Sequence, residues 1–194
     1  SVMYGSDALG GVISFYTKKP ILANAVLKKP VSGSAFTRFS SAYNEFTAHA
    51  DANIGGKKLA SFTGFTVSSF GDLRQGSRYN SNFPNWGKRN FYVERINGTD
   101  SMIANPDPQK QKFTGYRQYD LIQKILFKTG KTEHVLNFQY STSSDVPRYD
   151  RLTETNSNGT PRSAQWYYGP QKRLMAAWHM ALPATTVFDK AQLT

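Results

Sequence analysis

The clearest pattern in the chain is a strict alternation of apolar and polar residues over 46–54. Every second position is apolar, and those positions are Phe46, Ala48, Ala50, Ala52 and Ile54. The polar positions between them are Thr47, His49, Asp51 and Asn53. A period of two predicts a β-strand with one face against an apolar medium and the other against water.

Similar patterns predict more strands along the chain. Segment 119–128 places Tyr119, Leu121, Ile125 and Phe127 on one face, with Gln123 as a polar interruption. The other predicted strands are 59–70, 132–142, 174–182 and a last strand after a turn at 183–186 that the end of the chain interrupts, while 33–43 is predicted to be extended with mixed faces. The chain is therefore predicted to be all-β.

The connections alternate between short and long after a first hairpin at Asn44-Glu45. They are tight at 55–58, 129–131 and 183–186, and very long at 71–117 and 143–170. Long unstructured loops are uncommon in compact domains, whereas outer-membrane barrels alternate short periplasmic turns with long extracellular loops. We therefore predict an incomplete antiparallel transmembrane β-barrel. Its first six or seven strands occupy 20–194. Further strands must follow, because an open sheet edge is not viable in lipid. The alternative is an antiparallel sheet with one wet face.

Composition and charge narrow the classes of protein to which the chain can belong. The chain has 39% hydrophobic and 14% aromatic residues and no cysteine, which excludes disulfides and thiolate metal sites. The sequence contains no run of about 18 apolar residues, so no membrane helix is predicted. The N-terminus lacks the pattern of a signal peptide. The net charge of +11 is scattered among acidic residues rather than gathered in one helix or arm, so no nucleic-acid partner is predicted. Both chain ends are interpreted as lying inside a longer polypeptide.

The first 18 residues carry a recognisable motif. Tyr4-Gly5-Ser6 is followed by Gly10-Gly11-Val12-Ile13 and by a segment that ends in Thr17-Lys18. This stretch resembles the end of the plug domain in TonB-dependent outer-membrane receptors. The resemblance implies that 1–19 is the last strand of a plug and that 20–194 begins the barrel. The plug-motif residues are Tyr4, Gly5, Ser6, Gly10 and Gly11.

A second resemblance concerns the branch of that family. Segments 136–141, 145–153 and 164–173 resemble the heme or haemoglobin receptors. The implied function is TonB-dependent uptake of a scarce nutrient complex, heme or iron, across the bacterial outer membrane, with no enzymatic activity. The alternatives are a siderophore, cobalamin or oligosaccharide as cargo, and a passive porin-like or adhesin barrel, which the plug motif argues against.

The same resemblance implies the partners. They are TonB with its inner-membrane energising complex, outer-membrane lipid and lipopolysaccharide, and a surface lipoprotein. No intrinsic cofactor is implied, and heme or a ferric chelate would be cargo. No motif in the sequence supplies a nucleophile, base and orienting acid for catalysis.

Candidate ligand-binding residues lie in the two long loops, where cations and aromatic rings occur together. Such a mixture suits a flat, anionic ligand. The residues are Arg78, Trp86, Arg89, Tyr92, Arg148, Tyr149, Arg151, Trp166 and Tyr168. Two competing interpretations are that the basic residues meet lipopolysaccharide phosphates or simply solvate the loop, and that the Trp166-Tyr167-Tyr168 cluster is part of an interfacial aromatic girdle. The strand histidines His49, His134 and His179 are not predicted to bind metal.

Overall fold

The fold is taken from a computed structural model, which describes residues 13, 15–23, 30–78, 81–184, 186, 188 and 191–194. Its strands are β1 Val31–Ser40, β2 Glu45–Gly55, β3 Leu59–Phe70, β4 Phe91–Ile96, β5 Thr99–Ala104, β6 Tyr116–Thr129, β7 Thr132–Ser143, β8 Val146–Pro147, β9 Tyr167–Tyr168, β10 Lys172–Leu182 and β11 Ala191–Leu193. A single helical turn, α1, spans Tyr149–Leu152. The all-β prediction is confirmed.

Seven strands form one main sheet in the order β1-β2-β3-β6-β7-β10-β11, and every neighbouring pair is antiparallel. The strands therefore follow one another as a meander, interrupted by two small sheets, β4-β5 and β8-β9, in the long connections. The described part of the chain does not close into a barrel, because β1 and β11 each pair on one side.

The predicted strands agree with the structure at most positions, but three expectations need correction. The long connection 71–117 contains the hairpin β4-β5 and ends where β6 begins at Tyr116. After the predicted turn at 183–186 the chain does not enter a strand at once, because residue 188 is not in a strand and β11 begins at Ala191. Of the predicted last plug strand, 1–19, the structure describes 13 and 15–19, and these residues are not in a strand, because the backbone over 15–23 crosses the face of the main sheet.

One face of the main sheet, here called the apolar face, is exposed. Ala50, Phe65, Leu121, Tyr140 and Leu174 are successive partners along one row of it. Ile54 is 58% exposed and Leu174 is 65% exposed. The exposed large side chains on this face are Val31, Phe39, Phe46, Ile54, Leu59, Phe65, Tyr119, Ile125, Leu136, Phe138, Leu174 and Trp178.

The opposite face, here called the polar face, is buried over its central strands. Its buried polar residues are Glu45, Thr47, Asn53, Ser68 and Lys124. Three of them are linked to one another, since the Thr47 hydroxyl lies 2.8 Å from Glu45 Oε1 and 3.1 Å from the Ser68 hydroxyl. His49 lies on this face, 2.8 Å from the Thr66 hydroxyl and 3.1 Å from Asp51 Oδ2, as the alternation predicts. The burial is therefore inverted relative to that of a soluble sheet.

Three polar residues interrupt the centre of the apolar face, and they satisfy one another. The Thr63 hydroxyl donates to Gln123 Oε1 at 2.6 Å, and Gln123 Nε2 donates to the Ser61 hydroxyl at 2.8 Å. These residues, here called the polar trio, bridge β3 and β6. Their pairing removes much of the cost of placing polar groups in an apolar surrounding.

Residues 15–23, here called the strap, cross the polar face. The Ile21 amide donates to Asn53 Oδ1 at 2.8 Å, and Asn53 Nδ2 donates to the Ile21 carbonyl at 3.0 Å. Lys18 Nζ lies 2.6 Å from Asp51 Oδ2, and Lys124 Nζ donates to the Thr17 hydroxyl at 2.5 Å. A side chain at Gly55 would collide with the strap backbone, so this close approach requires glycine.

In the part of the chain that the structure describes, no helix has the length and apolar composition of a membrane span.

Candidate binding site in the long loops

The two long connections of the main sheet meet each other. Arg89, in the connection between β3 and β6, donates from Nε to the hydroxyl of Tyr149 at 2.6 Å, and Tyr149 belongs to the connection between β7 and β10. The Arg89 guanidinium carbon also lies 5.3 Å from the centroid of the Tyr149 ring. Both contacts tie the loops into one structure.

A cleft of about 730 Å³ lies at this junction. Its lining residues are Gln75, Gly76, Arg78, Phe83, Trp86, Gly87, Arg89, Gln111 and Tyr149. Four of the predicted site residues, Arg78, Trp86, Arg89 and Tyr149, therefore meet in one place. We call this space the loop cleft.

The loop cleft is positively charged. Its lining includes two arginines and no carboxylate. Phe83 and Trp86 add aromatic surface, and Trp86 is 77% exposed. Guanidinium groups bind carboxylates with paired hydrogen bonds, and exposed rings stack on flat ligands. The arrangement therefore suits a flat molecule that carries negative charge.

Gln75 holds the turn that presents Trp86. Its Nε2 donates to the Trp86 carbonyl at 3.0 Å, while its Oε1 is buried without a hydrogen-bond partner among the described residues. Gly87 follows with φ of 78°, and a side chain there would meet the Gln75 amide. Gly87 thus permits both the left-handed backbone and the close approach.

The remaining candidates in the second loop are occupied by partners within that loop. Arg148 pairs with Asp150, and its guanidinium lies 5.2 Å from the centroid of the Tyr168 ring. Arg151 pairs with Glu154 and lies 5.7 Å from the centroid of the Trp166 ring. The hydrogen bond from Arg148 holds the pKa of Asp150 below its ordinary value. These contacts order the loop.

The aromatic cluster at 166–168 belongs to this loop. Tyr167 and Tyr168 pair with Pro147 and Val146 in the small sheet, rather than with the main sheet. The interpretation of the cluster as part of an interfacial aromatic girdle stays a prediction.

Tyr92 lies beside the loop cleft and not in its lining. Its ring meets Phe113 edge to face at 5.6 Å between centroids, and Lys112 Nζ lies 5.6 Å from the same ring. Tyr92 shares a small cavity of about 30 Å³ with Arg89 and Tyr149. Tyr92 therefore lies next to two residues of the loop cleft, Arg89 and Tyr149, without lining the cleft itself.

Sequence reasoning missed Gln75, Phe83 and Gln111, which also line the loop cleft. Phe83 is close to Trp86 in a segment rich in aromatic residues, a signal that was present in the sequence. The two glutamines give no comparable signal, since neither charge nor periodicity marks them.

The plug-motif residues Tyr4, Gly5, Ser6, Gly10 and Gly11 lie outside the described residues. Within the described ranges, no group of three or more His, Asp or Glu side chains is arranged to hold a metal ion. His179 contacts the Thr194 hydroxyl at 3.0 Å, and His134 stacks between two rings.

Comparison of the chain with models of protein families, with curated proteins and with solved structures found no match.

Proposed function

We propose that this chain contributes the end of the plug and the first seven barrel strands of a TonB-dependent transporter in the bacterial outer membrane. The observation that carries the proposal is the inverted burial of the main sheet, whose apolar face is exposed while its polar face is covered. The cargo would be a flat anionic iron complex, with heme first and another ferric chelate second.

The apolar face supports a lipid environment. In water, a contiguous exposed apolar surface of this extent marks an interaction surface. The five central strands β2, β3, β6, β7 and β10 have 11, 12, 14, 12 and 11 residues. A tilted membrane strand needs about 9–11 residues, so each of these is long enough. The polar trio interrupts the centre of this face, and it is hydrogen-bonded internally.

The free edges of β1 and β11 support closure by more strands. Unpaired backbone groups cost several kcal/mol each in hydrocarbon, so an open sheet is excluded there. Further strands would join the two edges and enclose the polar face as the inside of the barrel. The long loops would then form the extracellular end.

The strap supports the plug assignment. A plug that ends inside a barrel has to leave it along the polar face, and the strap lies there. It is held by the Asn53 amide, by Asp51 beneath Lys18 and by Lys124. Such polar contacts are separate bonds that can be broken singly, which suits a segment through which TonB would transmit force.

The loop cleft supports an anionic cargo. It lies among the long loops, where an extracellular ligand arrives first, and it combines Arg78 and Arg89 with two exposed rings. Heme carries two propionates on a flat ring and matches both features. Uptake needs no bond chemistry on the cargo.

The first experiment tests the membrane assignment with two adjacent residues of β7. Phe138 lies on the apolar face and Asn137 on the polar face. In a membrane barrel, Phe138→Arg costs about 2–4 kcal/mol near the bilayer midplane, and Asn137→Arg costs less because it faces the interior. Denaturant unfolding of the full-length protein in vesicles measures both. The reverse order would contradict the proposal, because in a soluble sheet the exposed Phe138 site tolerates arginine.

The second experiment tests the cargo and its route. Heme is added to the full-length protein in detergent, and the Soret band is followed with a ferric siderophore as competitor. A saturable shift that the competitor leaves unchanged is expected, and the variant Arg78→Gln/Arg89→Gln should weaken it. In cells, deletion of TonB should abolish uptake. Uptake that survives the deletion would indicate a passive barrel.

A further inference from the structure

Three stacked rings mark the apolar face at the end with the tight turns. The rings of Phe127 and His134 are 4.7 Å apart between centroids and 11° from parallel. The rings of His134 and Trp178 are 5.9 Å apart and 5° from parallel. Trp178 is half exposed. The stack spans β6, β7 and β10, so it crosses the apolar face at the end with the tight turns.

Four lysines lie just beyond this stack. Lys57 and Lys58 are in the turn between β2 and β3, Lys128 is near the end of β6, and Lys131 is in the turn between β6 and β7. We call these four the lysine rim. The Lys128 amide donates to the Lys58 carbonyl at 2.9 Å, so the two turns are neighbours.

The lysine rim has an excess of positive charge. Residues 56–58 and 128–133 contain four lysines and one acid, Glu133. Glu133 lies 3.8 Å from Lys128 and offsets that lysine. Lys57, Lys58 and Lys131 are exposed and extend from turns next to an apolar surface.

We propose that the lysine rim and the ring stack bind the headgroup of an anionic phospholipid in the leaflet that meets the tight turns. This inference rests on the proposed membrane barrel. Lysine ammonium groups near a membrane surface attract anionic lipid, and aromatic rings settle at the level of the headgroups. The acyl chains would lie along Leu59, Ile125 and Leu136 of the apolar face.

A lipid is chosen as the ligand because the exposed lysines lie beside the exposed apolar face. Lys57 and Lys131 lie in the tight turns next to Leu59 and Phe127 of the exposed apolar face, so positive charge borders that face. Lys128 faces the other way, since it pairs across the strands with Glu133 on the side of the polar face. A soluble anion would use the charge and leave the apolar surface bare. A phospholipid covers both.

The test uses the full-length protein in vesicles of phosphatidylcholine alone and in vesicles that also contain phosphatidylglycerol. Lipids retained after gentle extraction are counted by native mass spectrometry. The wild type is expected to retain phosphatidylglycerol in preference to phosphatidylcholine. The variant Lys57→Gln/Lys58→Gln/Lys131→Gln should lose that preference, by about fivefold for each lysine.

The matched control is Lys110→Gln/Lys112→Gln/Lys172→Gln, which removes three lysines from the opposite end of the sheet and should keep the preference. Equal loss in both variants would overturn the site, because it would indicate diffuse attraction to net charge. Displacement of the lipid by the same concentration of inorganic phosphate would overturn the lipid assignment.

The experiment separates this inference from the proposed function. Insertion of the wild type without any lipid preference would overturn the lipid site alone. Failure of the wild type to insert into either vesicle would overturn the barrel and the lipid site together.

Discussion

At the scale of single residues, Asn53 is the side chain that most directly joins the strap to the sheet. Its amide both donates to and accepts from the backbone of Ile21, which is the pair of bonds that a neighbouring strand would make. The Asn53 side chain is buried, and losing it removes both hydrogen bonds to the Ile21 backbone.

We predict that Asn53→Ala loosens the strap. The opening free energy at Ile21 should fall by about 1–2 kcal/mol, so its amide hydrogen should exchange about five to thirty times faster. Hydrogen exchange with mass spectrometry on the full-length protein measures this. The control is Asn137→Ala, on the same face but with no bond to the strap. Unchanged protection at Ile21 in Asn53→Ala would contradict the assignment.

The contact between Arg148 and Asp150 makes a second residue-scale prediction. Because the hydrogen bond from Arg148 lowers the pKa of Asp150, the contact contributes fully above the ordinary value of 3.8 and is lost as the pH falls through the lower folded value. The Asp150 carboxyl should therefore titrate below 3.8, and Arg148→Gln should move its midpoint back up. Carbon NMR of the carboxyl measures both, with Arg162→Gln as the control that leaves the midpoint in place.

At the scale of elements, the hairpin β4-β5 depends on its turn. Asn97 and Gly98 both have positive φ, 50° and 83°, which is the geometry of a two-residue hairpin turn. An Asn-Gly pair favours this type of turn. The strands around it were not predicted, because 91–96 lacks a period of two and lies inside a long connection.

We predict that Gly98→Ala destabilises the hairpin. A left-handed conformation costs an alanine about 1 kcal/mol or more relative to glycine. Faster hydrogen exchange over 91–104 is the expected result. Gly169→Ala is the matched control, because no atom lies near a side chain there and its φ is not positive. If Gly98→Ala leaves 91–104 as protected as the wild type, the turn geometry is not needed.

Strand β2 was the most predictable, because 46–54 alternates strictly between apolar and polar residues. The strand at 59–70 was predicted with the bounds that β3 has. Burial was the harder part, since alternation says that two faces differ and does not say which one is covered. The strap covers the polar face, and its contacts with Asp51 and Asn53 join residues separated by 33 and 32 positions in the sequence. Only four of the nine predicted site residues line the loop cleft, since sequence proximity could not show that Arg148 and Arg151 pair with their own neighbours.

At the scale of the whole molecule, the two free edges set a requirement for stability. We predict that residues 1–194 produced alone do not form a protease-resistant species in detergent or vesicles, because the edges of β1 and β11 stay unpaired. The full-length protein should resist the same protease. Limited proteolysis followed by mass spectrometry compares them. A resistant monomer of 1–194 would show that the sheet needs no further strands.

The polar trio also constrains the order in which the molecule is assembled. Ser61 and Thr63 lie on β3 and their partner Gln123 on β6, which are separated in the chain by the whole connection 71–115. Closing a loop of that length is slow relative to forming a tight hairpin. Until the two strands meet, three polar side chains would face hydrocarbon with no partner. If the sheet belongs to the proposed membrane barrel, we expect β3 and β6 to pair before they enter the bilayer, so that hairpins β2-β3 and β6-β7 insert as one four-stranded unit.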